Sequence, residues 1–266
     1  MASKGSIVSH FSEVACNILF QNDMPSLTTG GTLLDVCAGP AVFSIAAMNK
    51  IGLDALASTN FIITDFSEGM VAAASEAVEA IAPSRPNTQF LVIDVQDISL
   101  PSESADVVGH MFGYFVPDRR KAFSEICRVC RLGGRAVIGT WKYVGLMCVL
   151  GAFLDFAGGS WDYSTLTMAY SCADGEALRQ ELLDTGFSSV DIHEETNVFE
   201  LAVDGDSLTS IFGNKAIKEY FADRPPGTMQ EEWARFVNHP DCEYEADLEK
   251  GVVFVRYTAN IAIATK

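Results

Sequence analysis

Three aspartates stand at the ends of apolar segments in the amino-terminal part of the chain. Asp35 is the second-last residue of Thr32–Val36, Asp65 directly follows Phe61–Thr64, and Asp94 directly follows Phe90–Ile93. A carboxylate there accepts hydrogen bonds from hydroxyl and amino groups. At the end of the second strand of a parallel sheet, an acidic side chain can accept both hydroxyls of a ribose. The three positions together therefore predict a nucleoside-like ligand.

A turn of small residues follows the first segment and supports the same site. The turn runs from Cys37 through Gly39 to Ala41. Ligands of open α/β sheets bind at the carboxyl ends of the strands, where such a turn lets the backbone approach closely. The alternative is an ordinary turn between a strand and a helix.

Each aspartate also has a structural interpretation. Asp65 is followed by Ser67 and a helix, so the segment is also a good helix start, and Ser67 can cap the helix while Asp65 binds. Asp94 can accept from an adenine amino group while the Val95 amide donates to a ring nitrogen. Taken alone, however, a loop aspartate is usually only solvated.

The elements that must position these residues alternate between strands and helices from Gly30 to about Trp141. The predicted strands are Thr32–Val36, Phe61–Thr64, Phe90–Ile93, Ala105–Met111 and Arg135–Thr140. The predicted helices are Ala41–Lys50, Glu68–Ala80 and Arg119–Arg131, the last ended by Gly133 and Gly134. This alternation predicts a parallel sheet with right-handed crossovers.

The carboxyl-terminal half has a looser pattern. It predicts a helix at Gly175–Thr185, a short strand at Val190–His193, a helical region from Ser207 to Pro240 and a closing β-segment at Gly251–Ala264. The stretch between Trp141 and Ala173 is rich in aromatic residues and glycine.

Composition limits the partners. The 266 residues include 18 Lys and Arg against 35 Asp and Glu, a net charge of -17. So negative a surface repels phosphate backbones and anionic lipids, so we expect no nucleic acid and no membrane partner. The start of the chain shows no cationic segment followed by an apolar core, and the odd number of cysteines, seven, suggests reduced thiols. A cytoplasmic location is the expectation.

Motifs along the chain resemble those of the class I methyltransferases that use S-adenosylmethionine, in particular ubiquinone-biosynthesis and fungal thiol methyltransferases. The resemblance rests on six segments: Leu34–Ala41, Thr64–Met70, Ile93–Val95, Ser104–Val108, Phe112–Asp118 and Ile126–Arg135. Cys37 and Ala41 stand where glycine is commoner in that family, and Leu132 stands where proline is common.

The resemblance implies a single domain over residues 1–266 and a doubly wound α/β fold. The fold would be Rossmann-like, with a mostly parallel seven-stranded sheet and helical lid insertions. Residues 1–30 would carry an amino-terminal lid helix and residues 31–141 the cofactor-binding core. Residues 142–173 and 203–245 would be acceptor lids, and residues 251–266 would hold the closing strand.

The resemblance also implies the cofactor, S-adenosyl-L-methionine, and its binding residues. Asp35 would anchor the amino end of the methionine moiety, directly or through water. The full set is His10, Asp35, Cys37, Gly39, Ala41, Asp65, Phe66, Met70, Asp94, Val95, His110 and Met111.

In the resembling family the end of the fourth strand faces the methyl group, and here that strand carries His110. A histidine has an unperturbed pKa of about 6.5, which suits a general base near neutral pH. The alternative is a histidine that packs against the cofactor without chemical work. Tyr114 would orient the acceptor or form part of the pocket wall. Aromatic residues between Trp141 and Tyr170 would line an acceptor pocket, or else pack on the core.

Cys127 and Cys130 form a Cys-x-x-Cys pair without a second pair at metal-binding spacing, so we expect core residues and no metal site. Three functions remain in competition. The first is methyl transfer to a small-molecule acceptor, with sulfur or oxygen favoured over carbon or nitrogen. The second is NAD-dependent oxidoreduction, which the missing glycine triplet disfavours. The third is S-adenosylmethionine binding with a non-methylating reaction or a binding role. The sequence leaves a monomer or a homodimer open.

Overall fold

The computed structural model describes residues 7–21, 31–51, 53–81, 87–113, 116–160, 173–202, 219–237, 246–247 and 252–266. These residues belong to two compact units. Unit 1 comprises residues 1–141, 171–195 and 259–266, and unit 2 comprises residues 142–170 and 196–258. The helices, strands and contacts of the fold are those of the described residues.

The helices and strands follow one another in the order expected of an α/β chain. The helices are α1 (Ile7–Phe20), α2 (Val42–Lys50), α3 (Leu53–Ser58), α4 (Glu68–Ile81), α5 (Arg119–Val129), α6 (Gly145–Phe156), α7 (Gly175–Asp184) and α8 (Thr228–Val237). The strands are β1 (Thr32–Asp35), β2 (Asn60–Asp65), β3 (Thr88–Val92), β4 (Ala105–Met111), β5 (Cys130–Val144), β6 (Ser189–Ala202), β7 (Ala246–Asp247) and β8 (Val252–Thr265).

Seven strands lie in the order β3-β2-β1-β4-β5-β8-β6, and the two-residue strand β7 pairs antiparallel with β8. The pairs β2–β3, β1–β2, β1–β4 and β4–β5 are parallel. The chain reverses its direction of winding between β1 and β4, so the sheet has a switch point there. The predicted doubly wound, mostly parallel seven-stranded sheet is confirmed.

Helices cover both faces of the sheet in unit 1. On one face Phe123 of α5 and Leu178 and Leu182 of α7 are buried in a cluster with Leu34 and Val108. On the other face α1 packs on α2, and the ring of Phe43 in α2 lies against Gly109 of β4. A Cβ at Gly109 would stand 2.3 Å from that ring, so close packing of helix on strand requires glycine there.

The predicted end of the helix before β5 is wrong. The helix ends at Val129, and Gly133 and Gly134 lie inside strand β5. The amides of Glu103 and Ser104 donate to the carbonyls of Arg128 and Val129, which gives these last helical carbonyls partners without a glycine turn. The predicted strands β5 and β6 were also too short. The observed strands continue into segments with polar residues, which hide the strand pattern in the sequence.

Unit 2 contains an aromatic cluster around Phe153. This fully buried side chain lies 5.1 Å from Trp233 and 5.7 Å from Phe236, measured between ring centroids. Phe153 is therefore a core residue of unit 2. Trp161, Tyr163 and Tyr170 lie outside the described residues, and the lid roles of residues 142–173 and 203–245 stay predictions.

Two negative findings apply to the described residues only. None of their helices is both long and apolar enough to cross a bilayer, and they hold no cluster of three metal-ligating side chains. Cys127 and Cys130 are buried free thiols in the core between α5 and the sheet.

Candidate functional site

The turn after β1 has a left-handed backbone at three residues. Cys37, Gly39 and Ala41 have φ angles of 53°, 51° and 58°. A side chain in this conformation costs roughly 1–2 kcal/mol, which explains why glycine suits the first and third of these positions. A Cβ at Gly39 would meet no atom within 4 Å, so this part of the turn faces open space where a ligand can approach the backbone.

Asp35 ends β1 and is buried, with 1% of its surface exposed. Its Oδ2 accepts from the Ser44 hydroxyl at 2.7 Å and from the Ser44 amide at 3.1 Å. Its Oδ1 is buried and has no partner among the described residues. Burial raises the pKa of Asp35 to about 7, an effect that the two Ser44 hydrogen bonds oppose and the nearby Asp65 reinforces. Hydrogen bonds thus hold Oδ2 in place, whereas Oδ1 is left without a partner in the described part of the chain.

Asp65 ends β2 and stabilises the turn after β1 through a hydrogen bond. Its Oδ2 accepts from the Gly39 amide at 2.9 Å, and its Oδ1 accepts from the Ser67 amide at 2.9 Å. A carboxylate has about four lone-pair sites, so each oxygen keeps room for a ribose hydroxyl. The amide of Met70 lies 3.4 Å from the Ser67 hydroxyl, so Ser67 also caps α4 as expected.

Asp94 follows β3 and is tied to Gln96. Its Oδ1 accepts from the Gln96 amide at 2.9 Å, and both oxygens lie within 3.2 Å of the Gln96 side-chain nitrogen. The Gln96 side-chain oxygen in turn accepts from the Asp118 amide at 2.9 Å. Asp94 is therefore fixed by a local network, and the side chain of the neighbouring Val95 is buried.

The three aspartates meet around Cys37. Burial, together with the charges of Asp65, Asp35 and Asp94 in that order, raises the pKa of the Cys37 thiol to about 12. The thiol stays protonated at neutral pH, and the surroundings attract a cation. The structure thus brings together at one edge of the sheet the carboxylates that the sequence had placed at three strand ends.

Apolar side chains are exposed next to these carboxylates. Phe66 is 74% exposed and Met70 is 47% exposed, and both follow Asp65 in the chain. Val92, the last residue of β3 and the register partner of Asp65, is 52% exposed. Sequence reasoning missed Val92, although it ends the strand that precedes Asp94. These side chains offer an apolar surface of the kind on which a flat ring binds.

His110 lies in β4 with its ring on the face that carries α5. It is 4% exposed, and its ring lies edge-on to Phe123 at 6.1 Å between centroids. Neither ring nitrogen has a partner among the described residues. A Cβ at Gly113 would stand 2.6 Å from His110 Nε2 and 2.9 Å from Cys37 Cβ, so these three residues meet at the strand end. Burial lowers the pKa of His110 to about 4, so the imidazole is neutral at physiological pH.

An aromatic group closes the neighbouring part of the strand end. Phe112, with a φ of 61°, stacks on Trp141 at 3.9 Å, and Phe11 of α1 packs edge-on against both rings. His10 lies edge-on to Phe11 at 5.2 Å. Helix α1 therefore reaches the end of β4, and its role as a lid stays a prediction. Met111 packs over Gly139 of β5. Tyr114 lies outside the described residues.

Sequence reasoning missed two positioning groups of this edge, Ser44 and Gln96. Ser44 is a buried polar residue that interrupts the apolar run from Val42 to Met48, and this signal was available in the sequence. Gln96 carried no comparable signal, because a polar residue in a loop is ordinary.

The chain matches known methyltransferases in sequence. Residues 33–134 match a family model described as a methyltransferase domain. The chain is 31% identical over 110 residues to a phosphatidylethanolamine N-methyltransferase of Cereibacter sphaeroides, a match that covers 41% of the chain and 50% of that protein. It is 34% identical over 110 residues to the ubiquinone/menaquinone biosynthesis C-methyltransferase UbiE of Geobacter sulfurreducens, covering 41% of each. The chain thus spans half or less of the length of these two relatives.

A longer match and a solved structure extend the likeness. The chain is 31% identical over 177 residues to a demethylmenaquinone methyltransferase of Listeria welshimeri, covering 60% of the chain and 72% of that protein. A solved structure of a candidate methyltransferase from Bacillus halodurans, 14% identical, covers 98% of both chains with a TM-score of 0.59 and shows the shared fold. The chain belongs to the family of class I methyltransferases that use S-adenosylmethionine.

Proposed function

We propose that this protein transfers the methyl group of S-adenosylmethionine to a small-molecule acceptor. The observation that carries the proposal is that Asp35, Asp65 and Asp94 end or follow the three adjacent strands β1, β2 and β3, at the carboxyl edge of the sheet and near Cys37. A ligand with a sulfonium, an ammonium, ribose hydroxyls and an adenine amino group complements such a set of acceptors. Family membership agrees with it.

The residues have separate roles in this proposal. Asp35 binds the amino end of the methionine moiety, Asp65 accepts from the ribose hydroxyls and Asp94 accepts from the adenine amino group. The turn at Cys37, Gly39 and Ala41 lets the cofactor approach the backbone. Phe66 and Met70 cover the adenine, and Val95 donates its amide to a ring nitrogen. His10, His110 and Met111 border the methionine and methyl end.

Methyl transfer needs position more than acid-base chemistry. The nucleophile displaces the sulfur in line, so the protein must hold acceptor atom, methyl carbon and sulfur collinear and exclude water. His110 fits this task as a neutral imidazole that hydrogen-bonds the acceptor, because the burial that lowers its pKa also weakens it as a base. Tyr114 stays a candidate for orienting the acceptor.

We propose sulfur or oxygen as the acceptor atom, in a reducing, cytoplasmic setting that suits the free thiols. A thiol ionises near pH 8.5 and needs little help from a base. Nitrogen or carbon is the second candidate, because the relatives named above are N- and C-methyltransferases. The strongly negative chain disfavours an anionic acceptor.

The test is transfer of a labelled methyl group from S-adenosylmethionine to a panel of thiols, phenols, quinols and amines. We expect one class to be labelled, with loss of labelling in Asp65→Ala. Binding of S-adenosylhomocysteine with no labelled product from any class would favour the binding role instead. A chain that binds no S-adenosylhomocysteine would contradict the proposal altogether.

A further inference from the structure

Two buried oxygen atoms at this edge have no partner among the described residues. One is Oδ1 of Asp35, and the other is the hydroxyl of Ser12 in helix α1, a residue with no exposed surface. A buried polar atom without a partner costs folding free energy, so such atoms are rare unless something else satisfies them. The two atoms require an explanation that the fold alone does not supply.

Ser12 lies on the buried face of helix α1, and this helix packs on α2, the helix that carries Ser44. Cys16 lies one turn after Ser12, on the same face of the helix. The Cys16 thiol donates to the carbonyl of Phe43 at 3.9 Å, and Phe43 directly precedes Ser44, which binds Asp35. Burial raises the pKa of Cys16, and the charge of Asp35 raises it further. The face of α1 that carries Ser12 therefore covers the helix that holds Asp35.

The charges around Asp35 favour a cation there. Its charged neighbour at the sheet edge is the carboxylate of Asp65, while Cys16 and Cys37 contribute neutral thiols. Glu13 and Lys50 act on Cys16 with opposite signs. Ser44 uses both of its donors on Oδ2, so Oδ1 faces this acidic environment without a donor.

We infer that Ser12 Oγ and Asp35 Oδ1 together bind the α-ammonium group of the cofactor, and that Ser44 is the positioning residue that fixes the carboxylate. An ammonium carries three donors, so it can satisfy both orphaned oxygens at once. Helix α1 is then part of the cofactor site through a side chain as well as a cover over it. The inference rests on the proposed function, which assigned only Asp35 to this end of the cofactor.

The experiment compares two ligands by calorimetry on the full chain. S-adenosylhomocysteine carries the ammonium, and 5′-methylthioadenosine lacks the whole amino-acid end. We expect Ser12→Ala to lower the affinity for S-adenosylhomocysteine about tenfold, because this ligand donates to Ser12. The affinity for 5′-methylthioadenosine, which has no ammonium group, should stay within about twofold of the parent value. Ser124→Ala, an exposed serine on α5, is the matched control and should change neither affinity.

Ser44→Ala tests the positioning role. Without the Ser44 hydroxyl, the Asp35 carboxyl keeps only the backbone amide of residue 44 as a donor. It should therefore hold its proton to higher pH, and the pH at which S-adenosylhomocysteine affinity rises should move upward. A purely structural role would lower affinity for both ligands and leave that pH unchanged. Ser12→Cys, which keeps the size of the side chain but donates and accepts weakly, replaces Ser12→Ala if the alanine variant loses its circular dichroism signal.

Each outcome decides something. Equal loss for both ligands in Ser12→Ala, or no loss for S-adenosylhomocysteine, would overturn the ammonium site while the proposed function stands. If the parent binds 5′-methylthioadenosine and S-adenosylhomocysteine equally tightly, the ammonium site is likewise overturned. A parent chain that binds neither ligand would overturn both.

Discussion

The two halves of the sheet edge differ in how many of their polar groups have hydrogen-bond partners. At the ends of β2 and β3, Asp65 and Asp94 already accept hydrogen bonds from Gly39, Ser67 and Gln96. At the ends of β1 and β4 the polar groups are less satisfied. Among the described residues, one oxygen of Asp35 and both ring nitrogens of His110 have no hydrogen-bond partner. Burial moves the pKa of Asp35 up and that of His110 down, so each shift favours the neutral form.

This difference indicates how the work is divided. The half with Asp65 and Asp94 is preorganised, because its carboxylates hold the turns that a nucleoside would contact. The half with Asp35 and His110 carries unsatisfied groups that a charged or hydrogen-bonding ligand would complete. Binding energy should therefore come from both halves, while the sensitivity to pH should come from the second.

The largest effect expected is on stability, in Asp35→Asn. The pKa of Asp35 rises from 3.8 to about 7 on folding, so its favourable contribution is fully present below pH 3.8 and is lost as the pH rises through 7. Asparagine does not ionise, so the ligand-free variant should exceed the parent in free energy of unfolding by on the order of 3 kcal/mol at pH 8. Urea unfolding at several pH values measures this, and the advantage should shrink toward pH 5. A difference that does not change with pH would show that Asp35 titrates normally.

The same residue should be needed for binding. We expect Asp35→Ala to weaken S-adenosylhomocysteine at least as much as Asp65→Ala does, provided that its circular dichroism shows a folded chain. A variant that gains stability and loses affinity would sharpen the contrast between the two halves.

The next effect is on turnover, in His110→Ala. We expect kcat to fall about 10- to 100-fold with the dissociation constant of the cofactor nearly unchanged. With a pKa of about 4 the imidazole is neutral throughout, so the ratio of variant to parent rates should be flat between about pH 6 and 9. His193→Ala on β6 is the control. A ratio that approaches one as the pH rises would instead identify His110 as a general base, since an ionised acceptor no longer needs one.

A smaller effect is expected in the preorganised half. Asp65→Ala should weaken S-adenosylhomocysteine by about 1–3 kcal/mol, because the ribose hydroxyls lose a charged acceptor and the Gly39 amide loses its partner. Calorimetry measures the loss, with the exposed Asp97→Ala as the matched carboxylate control. An unchanged dissociation constant in Asp65→Ala would remove Asp65 from the site.

The smallest effect concerns the first turn, in Gly39→Ala. The new methyl group meets no protein atom, so the loss of stability should be only the backbone cost of about 1 kcal/mol. Gly133→Ala shares the left-handed backbone and the open surroundings, and it should cost a similar amount. Only Gly39→Ala should also lower the affinity for the cofactor. Equal cofactor affinity in the two variants would place the ligand away from the turn.

The alternation of apolar segments was sufficient to predict the sheet, because β1, β2 and β4 are short and mostly buried. The bounds of β4 were predicted without error. The end of the helix before β5 was not, because it is set by long-range backbone hydrogen bonds and not by the two glycines, which lie in the strand. The three aspartates could be predicted because strand ends share one edge. The burial of His110 and the orphaned oxygen of Ser12 could not, since both depend on which helix covers which strand.

The central claim is that this edge of the sheet binds S-adenosylmethionine. Calorimetric titration of the parent chain with S-adenosylhomocysteine, and separately with NAD, tests it most directly. We expect saturable binding of one S-adenosylhomocysteine per chain and no heat from NAD, because the turn at Gly39 lacks the glycine spacing that a pyrophosphate needs. Binding of NAD, or binding of neither ligand, would contradict it.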